Sequence, residues 1–154
     1  MPHARLQRFV AAQDGGGSYA AALEELRQGG KVTHWMWYVF PQLTGLGRSE
    51  AARYFGIEGL AEARAYLRHP QLGPRLQAVT QAILEWAGRR PAEAILGSVD
   101  AMKLRSSMTL FERAVADVRE AAPFSLVLDT FFIGERDTTT LTLLEREKQA
   151  VKQW

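Results

Sequence analysis

Apolar residues recur at three- and four-residue intervals along most of this chain, and glycines and prolines cut the pattern into helix-length pieces. Leu6, Phe9 and Val10 form one set, and Leu76, Val79, Ile83 and Trp86 another. Leu104, Met108, Phe111, Val115 and Val118 form a third, and Leu141, Leu144 and Val151 a fourth. Each set falls on one side of a helix turning about 100° per residue. Stripes of this kind find cover only against one another, so the pattern predicts helices packed on helices. Two runs, Val32–Phe40 and Ser125–Ile133, carry the β-branched and aromatic content of strands. The helical neighbours of the first favour a short buried helix there, stopped by Pro41.

The boundaries follow from turn and cap chemistry. Ser18 is the expected N-cap of a helix over Tyr19–Gln28, and Gly29-Gly30 its stop. Ser49 is placed to cap a helix through Tyr54-Phe55, and His69-Pro70 to end one over Gly59–Arg68, with His69 at its C-terminal cap. Pro91 suits the first turn of a short helix reaching Leu96. Ser98 precedes a helix expected to run to about Glu120. Pro123–Phe132 reads as another buried helix, and Asp137 as the cap of the last. The expected architecture is all-α: a compact, single-domain bundle of about seven to nine helices over residues 1–154.

At 47% hydrophobic and 23% charged residues, the composition is that of a folded chain and excludes a disordered one. Nineteen Lys and Arg stand against seventeen Asp and Glu, and the arginines are scattered, which argues against a nucleic-acid partner. The absence of cysteine excludes disulfides, thiolate metal sites and cysteine catalysis. No apolar stretch approaches the roughly 18 residues that span a bilayer, nor does the N-terminus read as a signal peptide. A cytoplasmic location without membrane attachment is the expectation.

The segment Asp100-Ala-Met-Lys-Leu-Arg-Ser-Ser-Met-Thr-Leu-Phe111 carries the most pointed chemistry. Helical phasing turns Asp100, Lys103 and Ser107 toward its apolar side, whereas Arg105 and Thr109 project roughly opposite the core. Inward polar groups need partners, so the patch marks either an internal network or a ligand site. Two cations and three hydroxyls, with Ser106 among them, make a reasonable anion cradle. In a purely structural reading, Asp100 neutralises Lys103 and Ser107 bonds back along the helix.

His34 lies among aromatics with Trp35 and Trp37. It reads either as a half-buried histidine bonded to a carbonyl or as an acid/base group in an aromatic pocket. Two tryptophans two residues apart on a helix cannot both face inward, so one should line a groove, pocket or partner surface. The three histidines, His3, His34 and His69, lack the spacing of a zinc protease, and no metal site is expected. Gly45-Leu-Gly47 is no nucleotide fingerprint, and no nucleophile elbow is present. No residue is assigned a catalytic role, and no cofactor is implied.

His34-Trp-Met-Trp37, Phe40-Pro-Gln42, Gly45-Leu-Gly47, Ala65-Tyr-Leu67 with His69-Pro70, Leu72-Gly73 with Arg75, Asp100 with Lys103–Phe111, and Gly134 with Asp137 and Thr140-Leu141 form a recognisable set. With these motifs the chain resembles the bacterial family called domain of unknown function 1810, over nearly its whole length. The resemblance implies a compact all-α domain and no established activity, substrate or cofactor. Members are sometimes labelled calpastatin, a label the sequence contradicts. Such a calpain inhibitor is long, polar and disordered, whereas this chain is short, nearly half hydrophobic and helically patterned.

Two functions compete. In the first, the chain binds an anionic small molecule such as a nucleotide or sugar phosphate, in a pocket where His34, Trp35, Trp37, Gln42, Asp100, Lys103, Ser106, Ser107 and Asp137 converge. A tryptophan would stack on a ring, Lys103 and Ser107 would hold phosphate, and His34 or Asp137 would handle protons. In the alternative, the chain is a non-enzymatic interaction module whose exposed apolar patch grips a partner helix or a second copy in a homodimer.

Overall fold

The fold is described for residues 2–152 of a computed structural model, with side-chain surroundings for residues 4–150. Ten α-helical segments follow one another: α1 (Pro2–Asp14), α2 (Ser18–Gln28), α3 (Met36–Val39), α4 (Glu50–Tyr54), α5 (Leu60–Arg68), α6 (Leu72–Leu84), α7 (Ala92–Leu96), α8 (Ser98–Ala114), α9 (Val118–Phe131) and α10 (Thr138–Lys152). Nine have five residues or more, within the expected range, and α3 is a single turn. Among the described residues the only β pairing is one isolated bridge, Leu43 to Ile57. The fold is all-α, as the periodicity requires.

α8 is the central helix, packed against α5, α7, α9 and α10. Its Phe111 ring lies 5.3 Å from Tyr66 of α5 and 5.8 Å from Phe124 of α9, and Tyr66 stands edge-on to Phe9 of α1 at 5.2 Å. These four buried rings tie four helices together. Each contributes about 1.5–3 kcal/mol by leaving water. Burial also pushes the Tyr66 phenol up, although Gln13 bonds to it.

Two glycines permit close helix approach. A Cβ on Gly73 would collide with the Leu67 carbonyl, and one on Gly29, at φ 78°, would strike the Trp86 indole. Trp86 in turn donates its indole N–H to the Leu26 carbonyl at 2.8 Å, joining the turn after α6 to the end of α2.

Several caps stand where expected. The Ser49 hydroxyl accepts the Ala52 N–H at 3.1 Å, and Asp137 accepts both the Thr140 N–H at 2.9 Å and its hydroxyl at 2.6 Å. Others differ. Ser18 and Ser98 are first helical residues, each preceded by a glycine at the cap position. The Ser18 hydroxyl pairs with Tyr38 instead. His69 does end α5, but its Nδ1 accepts the Gln71 and Leu72 N–H groups and so caps the start of α6.

The central helix is shorter than its periodicity predicts. It stops at Ala114, where Val115 becomes extended (φ −108°, ψ 138°). Asp117 then accepts the Arg119 N–H and starts α9. Local capping therefore overrides the apolar repeat, and Val118 is 82% exposed, off the core face. The strand-like run 125–131 is helical, as expected for Pro123–Phe132, although α9 begins earlier, at Val118, and carries Pro123 inside. In the Val32–Phe40 run, only Met36–Val39 is helical. The side chains of His3 and Val151 lie outside the described residues.

Candidate functional site

The candidate site gathers where the loop after α2 meets α3 and the first turns of α8. Lys31 is held there by its backbone, whose N–H donates to the Ile95 carbonyl of α7 at 2.7 Å. Its ammonium reaches the Asp100 carboxylate at 3.0 Å, while Lys103 reaches the other oxygen at 3.2 Å. The three side chains retain only 10–20% of their exposure. Two cations thus share one anion, leaving one positive charge uncompensated within the trio. Burial raises the Asp100 carboxyl, but the hydrogen bonds and charges of the two lysines outweigh it and hold it below the usual carboxylate range.

The two tryptophans divide, although Trp35 is the non-helical cap residue ahead of α3 and only Trp37 lies on the helix. Trp35 is fully buried and Trp37 half-buried. Lys103 Nζ lies 3.8 Å from the Trp37 ring centroid, and Lys31 Nζ 5.2 Å from that of Trp35. Both ammoniums are therefore placed on aromatic faces as well as on Asp100, each contact adding about 0.5–2 kcal/mol.

Glu25 organises the loop beneath this trio. Its carboxylate accepts the Val32 N–H at 2.6 Å, the Thr33 N–H at 2.9 Å and hydroxyl at 2.6 Å, and the Trp35 indole N–H at 3.0 Å. Burial opposes its charge, yet these four donors bring the carboxyl down to about 2. The same bonds keep Val32–His34 out of the helix expected there. Lys31 and Glu25 escaped sequence reasoning because neither is close in sequence to α8; the stacked lysine and carboxylate partners exist only in the fold.

The remaining candidates separate. Ser107 is fully buried, and its hydroxyl has no hydrogen-bond partner. Ser106 is buried and bonds back to the Met102 carbonyl at 3.2 Å. Arg105 and Thr109, expected to face away from the core, do not. Thr109 is fully buried, donating to the Arg105 carbonyl and accepting the Asp137 N–H at 3.0 Å. The Arg105 Nε is buried without a partner, and its guanidinium approaches Glu135 at 3.7 Å. The turn before α10 covers this side of α8, which has no fully solvated face along its middle.

Asp137 acts as a helix cap and Gln42 as a backbone acceptor, its carbonyl receiving the Ile57 N–H at 2.9 Å. His34 is exposed, which corrects the half-buried reading of it. Its carbonyl accepts the Tyr38 hydroxyl at 3.3 Å. The structure thus brings together Trp37, Asp100 and Lys103, with Trp35 beneath. The described cavities, of about 350–550 Å³, are lined by none of the nine candidates.

Fold and site define an all-α chain whose central helix brings Asp100 and Lys103 to Lys31 of the loop after α2, against two tryptophans. A family model described as "Protein of unknown function (DUF1810)" matches residues 3–144, so the chain belongs to that family. It is also similar to the crystal structure of the conserved hypothetical protein Rv1873 from Mycobacterium tuberculosis. The two are 46% identical with a TM-score of 0.84, over 91% of this chain and 96% of that one. No curated protein matches the chain. Among the described residues, no helix is long and apolar enough to cross a membrane.

Proposed function

We propose that the chain binds an anionic small molecule of the nucleotide or sugar-phosphate kind beside Trp37, at the Lys31–Asp100–Lys103 cluster. The observation that carries this reading is the charge count: two ammoniums share a single carboxylate next to a half-buried indole. An anion arriving there meets surplus positive charge that is partly withdrawn from water, where electrostatic attraction is stronger than at an open surface. The indole supplies an apolar face for a ring once Lys103 turns toward the anion.

Titration with ATP, ADP-ribose and glucose 6-phosphate, followed by tryptophan fluorescence and thermal shift, tests the proposal. A saturable response to at least one of them is expected, weakened at least tenfold in Lys103→Ala with the helical signal intact. A flat response to all three at millimolar concentration, or equal affinity in Lys103→Ala, rejects it.

The interaction-module reading keeps one supporting observation. Val32, Val99 and Met102 are 79%, 67% and 62% exposed, and they adjoin Lys31, Asp100 and Lys103 in sequence. Concentration-dependent sedimentation that Met102→Ser abolishes would favour a second copy of the chain over a small ligand.

A further inference from the structure

A different surface, away from the tryptophans, carries a second concentration of positive charge. A cavity of about 410 Å³ opens where α8 ends and α9 begins. Three cations from three helices line it: Arg64 of α5, Arg113 of α8 and Lys148 of α10. None of them pairs with a carboxylate among the described residues. Arg64 spends its Nε on the Ala114 carbonyl at 2.8 Å, which anchors the guanidinium at the wall.

One carboxylate, Glu112, also lines the cavity, but it is already committed. Arg136 donates to both its oxygens, and the Ser125 hydroxyl donates to one at 2.6 Å. Arg136 divides itself between Glu112 and Asp129, and the Glu112 charge also acts on Arg113, yet one carboxylate against three cations still leaves the cavity wall positive. Gathering like charges from three helices costs repulsion that an incoming anion relieves. The rest of the wall is apolar, with Leu60, Val115, Val118 and Ala121. Val118, the first residue of α9, is 82% exposed and open to a ligand's apolar body.

We propose that this cavity binds a small organic anion with a phosphate or carboxylate head and an apolar body. Arg113, Lys148 and the terminal amino groups of Arg64 hold the head, and Val118 and Ala121 cover the body. The volume suits a small molecule. The adjoining cavity of about 530 Å³ shares Arg64, Val115 and Ala116 and adds Arg68, but Asp117 and Glu120 balance its two cations, so the anionic head belongs on the Lys148 side.

The test is an amide NMR titration of the full chain with phenyl phosphate, benzoate and inorganic phosphate. Phenyl phosphate or benzoate is expected to shift the Val118, Ala121 and Ser125 amides saturably, and more tightly than inorganic phosphate. The double variant Arg113→Gln/Lys148→Gln should weaken that binding at least fivefold, and Val118→Ser at least twofold. These side chains are exposed, so both variants are expected to keep the wild-type spectrum elsewhere. Lys103→Ala should leave the shifts unchanged, which separates this site from the one beside Trp37. The proposal is overturned by shifts that do not saturate, by equal affinity in the double variant, or by equal binding of inorganic phosphate.

Discussion

The Glu25 carboxylate accepts the indole N–H of Trp35 at 3.0 Å while also holding the Val32 and Thr33 N–H groups. One side chain of α2 thus fixes both the loop that presents Lys31 and the buried tryptophan that Lys31 rests on. Replacing Glu25 by Gln keeps the shape but turns one acceptor oxygen into a donor facing other donors. Glu25→Gln is expected to lose about 1–3 kcal/mol at neutral pH in urea unfolding. The pH dependence has a definite sign. With the folded carboxyl down at about 2 against an ordinary 4.5, its contribution is complete above pH 4.5 and is lost as pH falls toward 2. Wild-type stability should therefore drop more steeply than that of Glu25→Gln across this window.

Asp100 is the only carboxylate paired with Lys31 and Lys103 among the described residues. Asp100→Asn leaves two ammoniums close together with no counter-charge, and about 1–3 kcal/mol of stability should go with it. Its folded carboxyl is held below the ordinary range, so this contribution too is present near neutrality and fades as pH falls below about 4. Raised salt should partly restore the variant by screening the two lysines. Chemical denaturation at low and high ionic strength checks both points.

The helical repeat and the capping residues Ser49 and Asp137 were open to reading in the sequence, because both depend on local spacing. The division between Trp35 and Trp37 was also expected, but on a helical premise that holds only for Trp37, since Trp35 stands at the cap position ahead of α3. The inward turn of Asp100, Lys103 and Ser107 followed from phasing against Leu104 and Met108. What escaped was set by tertiary contacts. Thr109 is buried because the turn carrying Asp137 folds over the side of α8 that phasing assigned to solvent. Lys31 joins Asp100 only because its N–H is pinned to Ile95. Val118 left the core stripe because Asp117 capped a new helix ahead of it.

Ser107 and Thr109 should respond in opposite ways to loss of a hydroxyl. Ser107 buries an oxygen with no partner, so Ser107→Ala removes a desolvated group and is expected to be neutral or stabilising by up to about 1 kcal/mol. Thr109→Val keeps the shape but leaves the Asp137 N–H without its acceptor. A cost of about 1–2 kcal/mol is expected, together with loosening of the start of α10. Paired urea unfolding curves and amide hydrogen exchange at Asp137 measure the contrast.

Ile133 occupies the left-handed region at φ 55° in the turn between α9 and α10, and its side chain is 91% exposed. A β-branched residue gains nothing there from cover and meets the Cβ clash that glycine or asparagine avoids. The neighbouring Gly134, at φ 75°, continues the left-handed path and donates its N–H to the Leu128 carbonyl at 3.0 Å. The backbone is thus held by bonds that do not depend on the Ile133 side chain. Ile133→Asn is expected to stabilise the chain by about 0.5–1.5 kcal/mol, because asparagine tolerates this conformation. Ile133→Gly should gain less, since glycine also enlarges the freedom of the unfolded chain. Thermal and urea unfolding of the two variants test this ranking, and a loss of stability in Ile133→Asn would show that the isoleucine side chain contributes contacts its exposure does not reveal.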